Sequence, residues 1–458
     1  MGGNFMHRPR AMVRRSWRVS ADAGPRTSRR RLRIAAVAVL ALAVAGLSAC
    51  GSSAVTSSNA APSSAAASSA PASAPASSAA ASSVAASTGT SSGETDISAV
   101  PAGAKSAYTN YQLYSKLYPN AYANFKPPTG KVQYCESTFY LGNTYQQGEI
   151  TAFKQMIAPL AAAGKANSNF IVQNSNNSVA TQVSQLQSEI QSGCNVIFLN
   201  NNSTTAFCDQ YANAIQKNIL VISLDPSYCN NAITVSFDVY ENSYNMAASL
   251  YKAMNYQGNL LEITGVPGVA DAATATAAST AAMQGHPGLK VVGNYTGDWT
   301  ASVAQTATAQ WLGSHPGVKV DGIIDEGAMG VAAETALQQA GRPLAKVSLQ
   351  EGDCQELAFQ KANPGLVPYM TDQAPAPGAY ASMNVALRMM AGQQPALDTI
   401  LYPIPGPTAA TFSQWYTPNM TVSSACFASP KPALPAITSY MDQFFTGGQQ
   451  VANFPVPS

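Results

Sequence analysis

The chain has 458 residues, only 10% of them charged, and its formal net charge is +2. Ten arginines lie between Arg8 and Arg33 against one acid, Asp22, so the chain from residue 50 onward carries 15 basic and 22 acidic residues. A nucleic-acid binder needs a basic face that neutralises phosphates. The acidic remainder therefore argues against that class of protein.

The first 49 residues are typical of an export signal. A basic stretch precedes an apolar run over 34–49, which is shorter than the about 20 residues that span a bilayer. The tetrapeptide that ends at Cys50 resembles the bacterial lipoprotein signature, which predicts lipidation of Cys50 and anchoring to the outer face of the cell membrane. An ordinary cleaved signal, a twin-arginine signal and a start at Met12 remain open.

Residues 50–100 consist almost entirely of Ser, Ala, Thr, Gly and Pro, with no charge before Glu94. Such a segment has too little apolar surface to offset its ordering entropy, so we predict a disordered tether. A tether of this composition lets a globular body move away from the membrane. No later apolar stretch is long enough to span a bilayer, which places the body from residue 101 outside the cell.

A strand–helix alternation begins at Lys131, after a stretch (105–125) whose tyrosines at helical spacing predict a helix packed onto a domain. The predicted strands of the first half are 132–135, 170–172, 195–199 and 219–224. The pattern restarts after Asp238, with strands predicted at 260–263, 289–292, 322–324 and 347–349. Repeated units of this length predict right-handed crossovers and parallel sheets covered by helices. The body is therefore predicted as two α/β lobes.

Six cysteines follow Cys50, and an even number outside the membrane predicts disulfides. They are Cys135, Cys194, Cys208, Cys229, Cys354 and Cys426. Cys208 and Cys229 follow predicted strands and could meet at one sheet end, and Cys354 and Cys426 fall in the second lobe. The sequence does not choose among the 15 pairings, and for the first two cysteines free buried thiols are expected equally with a disulfide.

The motifs of common enzymes are absent from the sequence. There is no Gly-x-Ser-x-Gly elbow, phosphate loop or His-Glu-x-x-His. Both histidines of the body, His286 and His315, lie in His-Pro-Gly turns that end helices, so a Ser–His or Cys–His pair has no base. We expect no enzymatic activity, no cofactor and no metal site, although paired carboxylates remain possible as acid and base.

Several segments together resemble the periplasmic sugar-binding proteins of the ribose-binding type, the solute receptors of ABC importers. The resemblance covers roughly residues 130–445, and its segments are Ile219–Asp225, Thr234–Asp238, Gly297–Trp299, Asp325–Gly330 with Ala336–Gly341, Gln350–Gly352, Tyr369–Gln373 and Pro377-Gly378. It implies the type I periplasmic binding protein fold, with two Rossmann-like lobes, parallel sheets flanked by helices, and a three-strand hinge. The implied lobes are 101–237, completed by 373–404, and 238–372, completed by 405–458.

The resemblance also implies a ligand site at the carboxyl ends of the strands, between the lobes. Carried over position by position, its candidate residues are Phe139 and Tyr140 in the first loop, Asp225 and Asp238 from the first lobe and hinge, and Trp299, Glu326, Glu351 and Asp372 from the second lobe and hinge. Carboxylates accept pairs of hydroxyl hydrogens, and aromatic faces pack on the C–H side of a sugar ring. The expected ligand is a sugar or polyol.

The sequence departs from the family pattern where arginines are usual. Pro226 follows Asp225, and residues 272–282 are Ala, Thr and Ser. The pocket is thus predicted to be acidic without guanidinium donors. Since buried carboxylates that lack compensation are costly, a ligand with an amine or another positive charge is the alternative to a neutral sugar.

The expected function is that of a monomeric extracytoplasmic solute-binding lipoprotein, which captures its ligand between two closing lobes and delivers it to an ABC permease. One alternative is a sensory co-receptor of the same fold, which passes the closed form to a signalling partner. A more remote alternative is a surface glycan-binding protein or hydrolase. The export signal argues against a transcription factor of this fold.

Overall fold

The computed structural model describes residues 95–111, 115–428, 433–451 and 454–457, all of which belong to one compact unit, Ala86–Ser458. The predicted signal peptide (1–49), the lipidation site Cys50 and most of the predicted tether lie outside the described residues. Within those residues, no helix is long and apolar enough to cross a membrane.

Twelve strands and ten α-helices are described. The strands are β1 (Tyr134–Thr138), β2 (Ile171–Asn174), β3 (Val196–Asn200), β4 (Leu220–Ser223), β5 (Ile233–Ser236), β6 (Gly258–Thr264), β7 (Leu289–Thr296), β8 (Gly322–Asp325), β9 (Lys346–Val347), β10 (Gln394–Pro395), β11 (Thr399–Leu401) and β12 (Phe445–Thr446). The helices are α1 (Thr144–Ala162), α2 (Val179–Gln191), α3 (Cys208–Gln216), α4 (Val239–Ala253), α5 (Ala270–Met283), α6 (Ala301–Ser314), α7 (Gly330–Gln339), α8 (Cys354–Ala362), α9 (Pro375–Met390) and α10 (Ala433–Met441).

Two parallel sheets form the centres of two lobes, which confirms the predicted α/β class. The first sheet has the order β2-β1-β3-β4-β5-β11, and the second has the order β7-β6-β8-β9. Strands β1, β3, β4 and β5 are buried along their whole length, because helices cover both faces of a parallel sheet. Both sheets reverse their strand order on either side of their first strand, and ligands bind at such switch points.

The predicted strands lie within a few residues of the observed ones, since short apolar runs between turns mark buried strands. The predicted helix in residues 105–125 is wrong. The chain there forms a 3-10 helix over Ala102–Tyr108, and tyrosines bond to strands: Tyr108 Oη donates to the Thr399 carbonyl at 2.9 Å, and Tyr122 Oη accepts from the Val221 N–H at 3.1 Å. The spacing reflected hydrogen-bonded tyrosines rather than one helical face.

The chain passes between the lobes at three described places. Asp238 starts the passage from β5 to α4, residues 370–375 lead back to α9, and residues 402–412 lead from β11 to the second lobe, where Trp415 is buried. The structure departs from the predicted division at the C-terminus. Residues 412–428 pack on the second lobe, but α10 and β12 belong to the core of the first, because their apolar side chains pack against α9.

The start of the body also lies earlier than the predicted boundary at residue 101. The Thr95 N–H donates to the Leu117 carbonyl at 2.9 Å, and Val100 is buried in the first lobe. Residues 95–100, assigned to the tether from composition alone, are therefore part of the folded body. A few apolar contacts suffice to order a segment that lies against a preformed surface.

Three disulfides join the six cysteines of the described residues. Cys208–Cys229 and Cys354–Cys426 join the cysteines that the sequence suggested as partners, with Cα atoms 5.2 and 5.3 Å apart. Cys135 and Cys194, for which free thiols were equally expected, also form a disulfide, with Cα atoms 6.0 Å apart. This third bridge ties β1 to the residue that precedes β3 by two positions, and it is completely buried.

Candidate ligand-binding site

A cavity lies between the carboxyl ends of the two sheets, at both switch points. It contains about 890 Å³ of space not filled by protein atoms, part of it open to solvent. Residues at or after the carboxyl ends of β1, β3, β4 and β5 line it from the first lobe, and residues after β6, β7, β8 and β9 line it from the second. The strand ends that the sequence predicted to form the site therefore face one another.

Two aromatic rings form the apolar part of the lining. Phe139 follows β1 and Trp299 follows β7, and their ring centroids are 6.3 Å apart at an interplanar angle of 57°. Trp299 has a left-handed backbone with φ of 48°, which costs energy in a residue other than glycine. A Cβ on Gly265 would overlap the indole ring. The loop geometry thus places the indole at the cavity, against a position that requires glycine.

Glu326 is the centre of a hydrogen-bond network in the second lobe. Its Oε2 accepts from the Gly265 N–H at 2.8 Å, and its Oε1 accepts from the Thr276 hydroxyl at 2.6 Å. The Glu326 carbonyl accepts from Trp299 Nε1 and from Gln350 Nε2, both at 2.9 Å. Burial raises the pKa of Glu326 to about 7. The network fixes the glutamate and the indole relative to each other.

Asp225 lines the cavity from the first lobe, and one of its oxygens, Oδ2, has no hydrogen-bond partner among the described residues. Burial raises its pKa well above the usual value, and the carboxyls of Asp271 and Glu149 raise it further. Burial also raises the pKa of Asp271 to about 7 and that of Glu149 to about 8. Three carboxyls are thus close enough to affect one another.

Glu351 lines the cavity and is 4% exposed, and its Oε2 has no partner among the residues the structure describes. Burial raises its pKa well above the usual value, and nearby carboxyls including Asp353 and Asp372 contribute. Asp372 lies beside the hinge, where its Oδ1 accepts from the Ala374 N–H at 3.2 Å, and burial raises its pKa to about 8. Asp372 itself does not line the cavity.

Two other predicted residues also lie next to the cavity without lining it. Tyr140 packs with Phe139, Val266 and Val269 in a small apolar cluster. Asp238 begins α4, where its Oδ1 accepts from the Glu241 N–H at 2.8 Å as an N-cap. Five of the eight predicted residues therefore line the cavity, namely Phe139, Asp225, Trp299, Glu326 and Glu351.

Several lining residues were not predicted. The polar ones include Asn143, Tyr145, Gln146, Glu149, Asn200, Asp271, Gln350, Gln373, Ser382 and Tyr402. Some carried a signal, because Asn200 directly follows the predicted strand 195–199 and Asp271 follows the glycine turn after the predicted strand 260–263. Glu149 lies inside α1, where no spacing distinguishes a lining residue from a core one.

Among the residues that the structure describes, the lining contains five carboxyl groups and no lysine, arginine or histidine. The carboxyls belong to Glu149, Asp225, Asp271, Glu326 and Glu351. This agrees with the acidic pocket expected from the missing arginines. No group of His, Cys, Asp or Glu side chains in the described part of the chain could hold a metal ion. Carboxyl groups, neutral polar side chains and aromatic faces are thus the means of binding that this lining offers.

Two parallel-sheet lobes joined by hinge crossings, with a polar and aromatic cavity between their strand ends, define a two-lobed binding protein. The family model of the periplasmic binding protein domain matches residues 140–394, more than half of the chain. The chain belongs to this family, and the resemblance identified from the sequence is confirmed.

Solved structures of this fold are similar to the described chain. An ABC transporter solute-binding protein from Thermobispora bispora is 22% identical with a TM-score of 0.60, over 71% of this chain and 99% of that one. A solute-binding protein from Actinobacillus succinogenes with bound D-allose is 20% identical with a TM-score of 0.53, over 62% and 100%. The Caulobacter myo-inositol binding protein is 19% identical with a TM-score of 0.54, over 63% and 97%. No curated protein matches the sequence significantly.

Proposed function

We propose that this protein is the extracytoplasmic solute-binding component of an ABC importer and that it captures a small polyhydroxylated solute between its lobes. Membership of the periplasmic binding protein family supports this role, as does the fold shared with proteins solved with D-allose and myo-inositol. The acceptor-rich cavity between the strand ends supports the class of ligand.

The observation that carries the proposal is the pairing of aromatic faces with unsatisfied buried acceptors. Phe139 and Trp299 offer apolar surface that suits the C–H faces of a sugar or cyclitol ring. Asp225 Oδ2, Asn200 Oδ1 and Glu351 Oε2 have no partner among the described residues, and a buried acceptor without a partner is costly. Solute hydroxyls would supply the missing donors.

Binding would favour the closed arrangement of the lobes, because the solute contacts both. Asp225 belongs to the first lobe, whereas Trp299 and Glu326 belong to the second. A ligand shifts a conformational equilibrium only through a difference in its affinity for the two states. The solute contacts both lobes only when the lobes approach each other, and these additional contacts give the closed state the higher affinity. The protein binds and releases its solute without transforming it.

Lipidation of Cys50 would hold the protein at the outer face of the cell membrane, with the segment up to about residue 94 as the tether. A monomer anchored in this way can reach a permease in the same membrane, which would receive the closed, loaded form. Family membership supports extracytoplasmic location and work with a transporter. A sensory co-receptor would use the same closed form with a different membrane partner.

The test is a thermal unfolding series of the purified protein with sugars, cyclitols, linear polyols and soluble glycans. A ligand that binds only the native state raises the melting temperature. At a concentration of 100 times its Kd, it stabilises the native state by about 2.7 kcal/mol. Phe139→Ala should reduce the shift, whereas Tyr140→Ala, its neighbour outside the lining, should not. Stabilisation by soluble glycans alone would favour the surface glycan-binding alternative.

A further inference from the structure

The charges around the cavity do not balance. Five carboxyl groups line it, and no basic side chain of the described residues does. The arginine in α9, Arg388, is buried elsewhere, where its Nη2 donates to Asp442 Oδ1 at 2.8 Å. Arg342 donates to the carbonyls of His315 and Val318 at the opposite end of the second sheet. Neither guanidinium compensates the lining carboxyls.

The excess of carboxyl groups over basic side chains includes one carboxyl from each lobe, where the lobes face each other. Asp225 follows β4 of the first lobe, and Asp271 lies in the first turn of α5 in the second. Both line the cavity, and each has an oxygen that is inaccessible and has no partner among the described residues, namely Asp225 Oδ2 and Asp271 Oδ1. The Asp271 carboxyl also raises the pKa of Asp225, so a neutral ligand would leave these two carboxyls without a compensating charge.

A third carboxyl group, that of Glu149, lines the cavity together with Asp225 and Asp271. Glu149 is 2% exposed, and its Oε2 accepts only a long hydrogen bond of 3.3 Å, from Asn200 Nδ2. Glu149, Asp225 and Asp271 all act on the buried hydroxyl of Tyr402, whose pKa is raised first by burial and then by these carboxyls. These three carboxyls and Tyr402 all line the cavity.

Glu351 gives an independent indication of the ligand. It is 4% exposed, lines the cavity, and keeps Oε2 without a partner in the described structure. Glu326, in contrast, uses both oxygens within its own lobe. The ligand must therefore satisfy carboxyls on two sides of the cavity, while the indole of Trp299 covers a ring face.

We propose that the solute is a polyhydroxylated ring that carries a protonated amine, with the ammonium group between Asp225 and Asp271 and the hydroxyls toward Glu351. The inference rests on the proposed function and specifies its substrate class. An ammonium group brings three donors and one positive charge, and charge-assisted hydrogen bonds to carboxylates are the stronger class of hydrogen bond. The ligand would supply the charge that the missing arginines do not.

The test compares matched probes that differ at one substituent. Isothermal titration at pH 7.5 would use glucose, glucosamine and N-acetylglucosamine, the corresponding galactose series, and myo-inositol with an amino-inositol. In at least one series, the amine should bind at least 10-fold more tightly than its hydroxyl parent. The N-acetyl compound, which has the same nitrogen without the charge, should lose that gain.

Substitutions of Asp225 and Asp271 test where the ammonium group of the ligand binds. Asp271→Asn and Asp225→Asn should each reduce the preference for amine over hydroxyl about 10-fold, because each replaces one of the two carboxyls that would hold the ammonium group. Asp298→Asn is the matched control, because it removes a carboxylate near Trp299 that does not line the cavity, and it should keep the preference. Two aspartate variants are used so that a folding defect in one does not decide the result.

The possible failures are distinct. Tight binding of a hydroxyl parent with no gain for its amine would overturn the ammonium inference and leave the proposed function standing. A preference for amines that survives both aspartate substitutions would overturn the assigned position. No binding by any member of the three series would overturn both the inference and the proposed function.

Discussion

Each lobe forms one wall of the cavity, and the second wall contains a group whose hydrogen bonds are made within its own lobe. Glu326 accepts there with both carboxylate oxygens, and its carbonyl holds Trp299. Asp225 Oδ2 of the first wall has no partner among the described residues, and neither has Asp271 Oδ1 nor Glu351 Oε2 of the second. The comparison indicates that Glu326 and Trp299 position the ring, whereas the oxygens without partners on both sides respond to its substituents.

The two lobes differ in their scaffolds as well. The first has a six-stranded parallel sheet, two of the three disulfides, and added layers from residues 95–125 and 433–451. The second has a four-stranded parallel sheet and one disulfide, which ties α8 to the segment near Cys426. The first lobe is thus the more strongly reinforced of the two.

The largest expected effect comes from the Cys135–Cys194 bridge of the first lobe. The Cys135→Ala/Cys194→Ala variant should lower the free energy of unfolding by about 4 kcal/mol, because the bridge closes a loop of about 60 residues in the unfolded chain. Equilibrium urea unfolding measures this loss. The same change at Cys354 and Cys426 should cost less, since Cys426 lies in an exposed segment that can detach locally. Equal losses would contradict the difference between the scaffolds.

The second effect tests the wall of the second lobe at Trp299, whose indole donates to the Glu326 carbonyl. Trp299→Ala should weaken binding of the tightest solute of the panel about 100-fold, since truncation of a central aromatic residue in a binding site costs 2 kcal/mol or more. Isothermal titration gives the affinity. Trp311→Ala is the control, because Trp311 lies in the same lobe and stacks on His315 away from the cavity. Similar affinity losses for both variants would remove Trp299 from the site.

The third effect is a pH dependence of the empty protein. Burial raises the pKa of Glu149 to about 8, and those of Asp271 and Glu326 to about 7. Between the ordinary carboxyl values and about pH 8, the folded state therefore holds more protons than the unfolded state. Stability must then fall as pH rises, by about 1.4 kcal/mol per pH unit for each additional proton held. The ligand-free melting temperature should thus be higher at pH 5.5 than at pH 8.

Substitutions in each lobe test how much of this dependence of the melting temperature on pH comes from that lobe. Glu149→Gln removes a titrating group of the first wall, and Glu326→Gln removes one of the second. Each should flatten the dependence of melting temperature on pH, and Glu149→Gln should flatten it more because its pKa is further raised. A melting temperature that increases from pH 5.5 to 8 would mean that these carboxyls are ionised in the folded protein.

The sequence was sufficient to predict the sheets, because their strands are short apolar runs between turns and strand ends mark the site. Asp225 and Glu326 follow such strands, and both line the cavity. The absence of arginines also predicted an acidic cavity. Residues on helices could not be found in this way, since Glu149 lies inside α1 among buried side chains, and only the packing of α1 directs it toward the cavity.

The chain termini show a second limit. The Tyr108 and Tyr122 side chains bond to backbone groups of β11 and β4, contacts across about 100 residues or more that local periodicity does not contain. The return of α10 to the first lobe likewise depends on which apolar surface is available after folding. Local patterns predict elements, whereas their assignment to a lobe follows from tertiary packing.

The smallest expected effect tests whether the Asp238 carboxyl only caps a helix or also binds the solute. Asp238 caps α4 through the Glu241 N–H at 2.8 Å, so Asp238→Ala should reduce the free energy of unfolding by about 1 kcal/mol. Asp238→Asn should cost less, because asparagine is also a good N-cap. Neither should change solute affinity more than about twofold, since Asp238 does not line the cavity. Urea unfolding and titration on the same preparations measure both quantities. A loss of affinity in Asp238→Asn with unchanged stability would place this carboxyl in contact with the solute, and the hinge would then contribute to binding beyond the two walls.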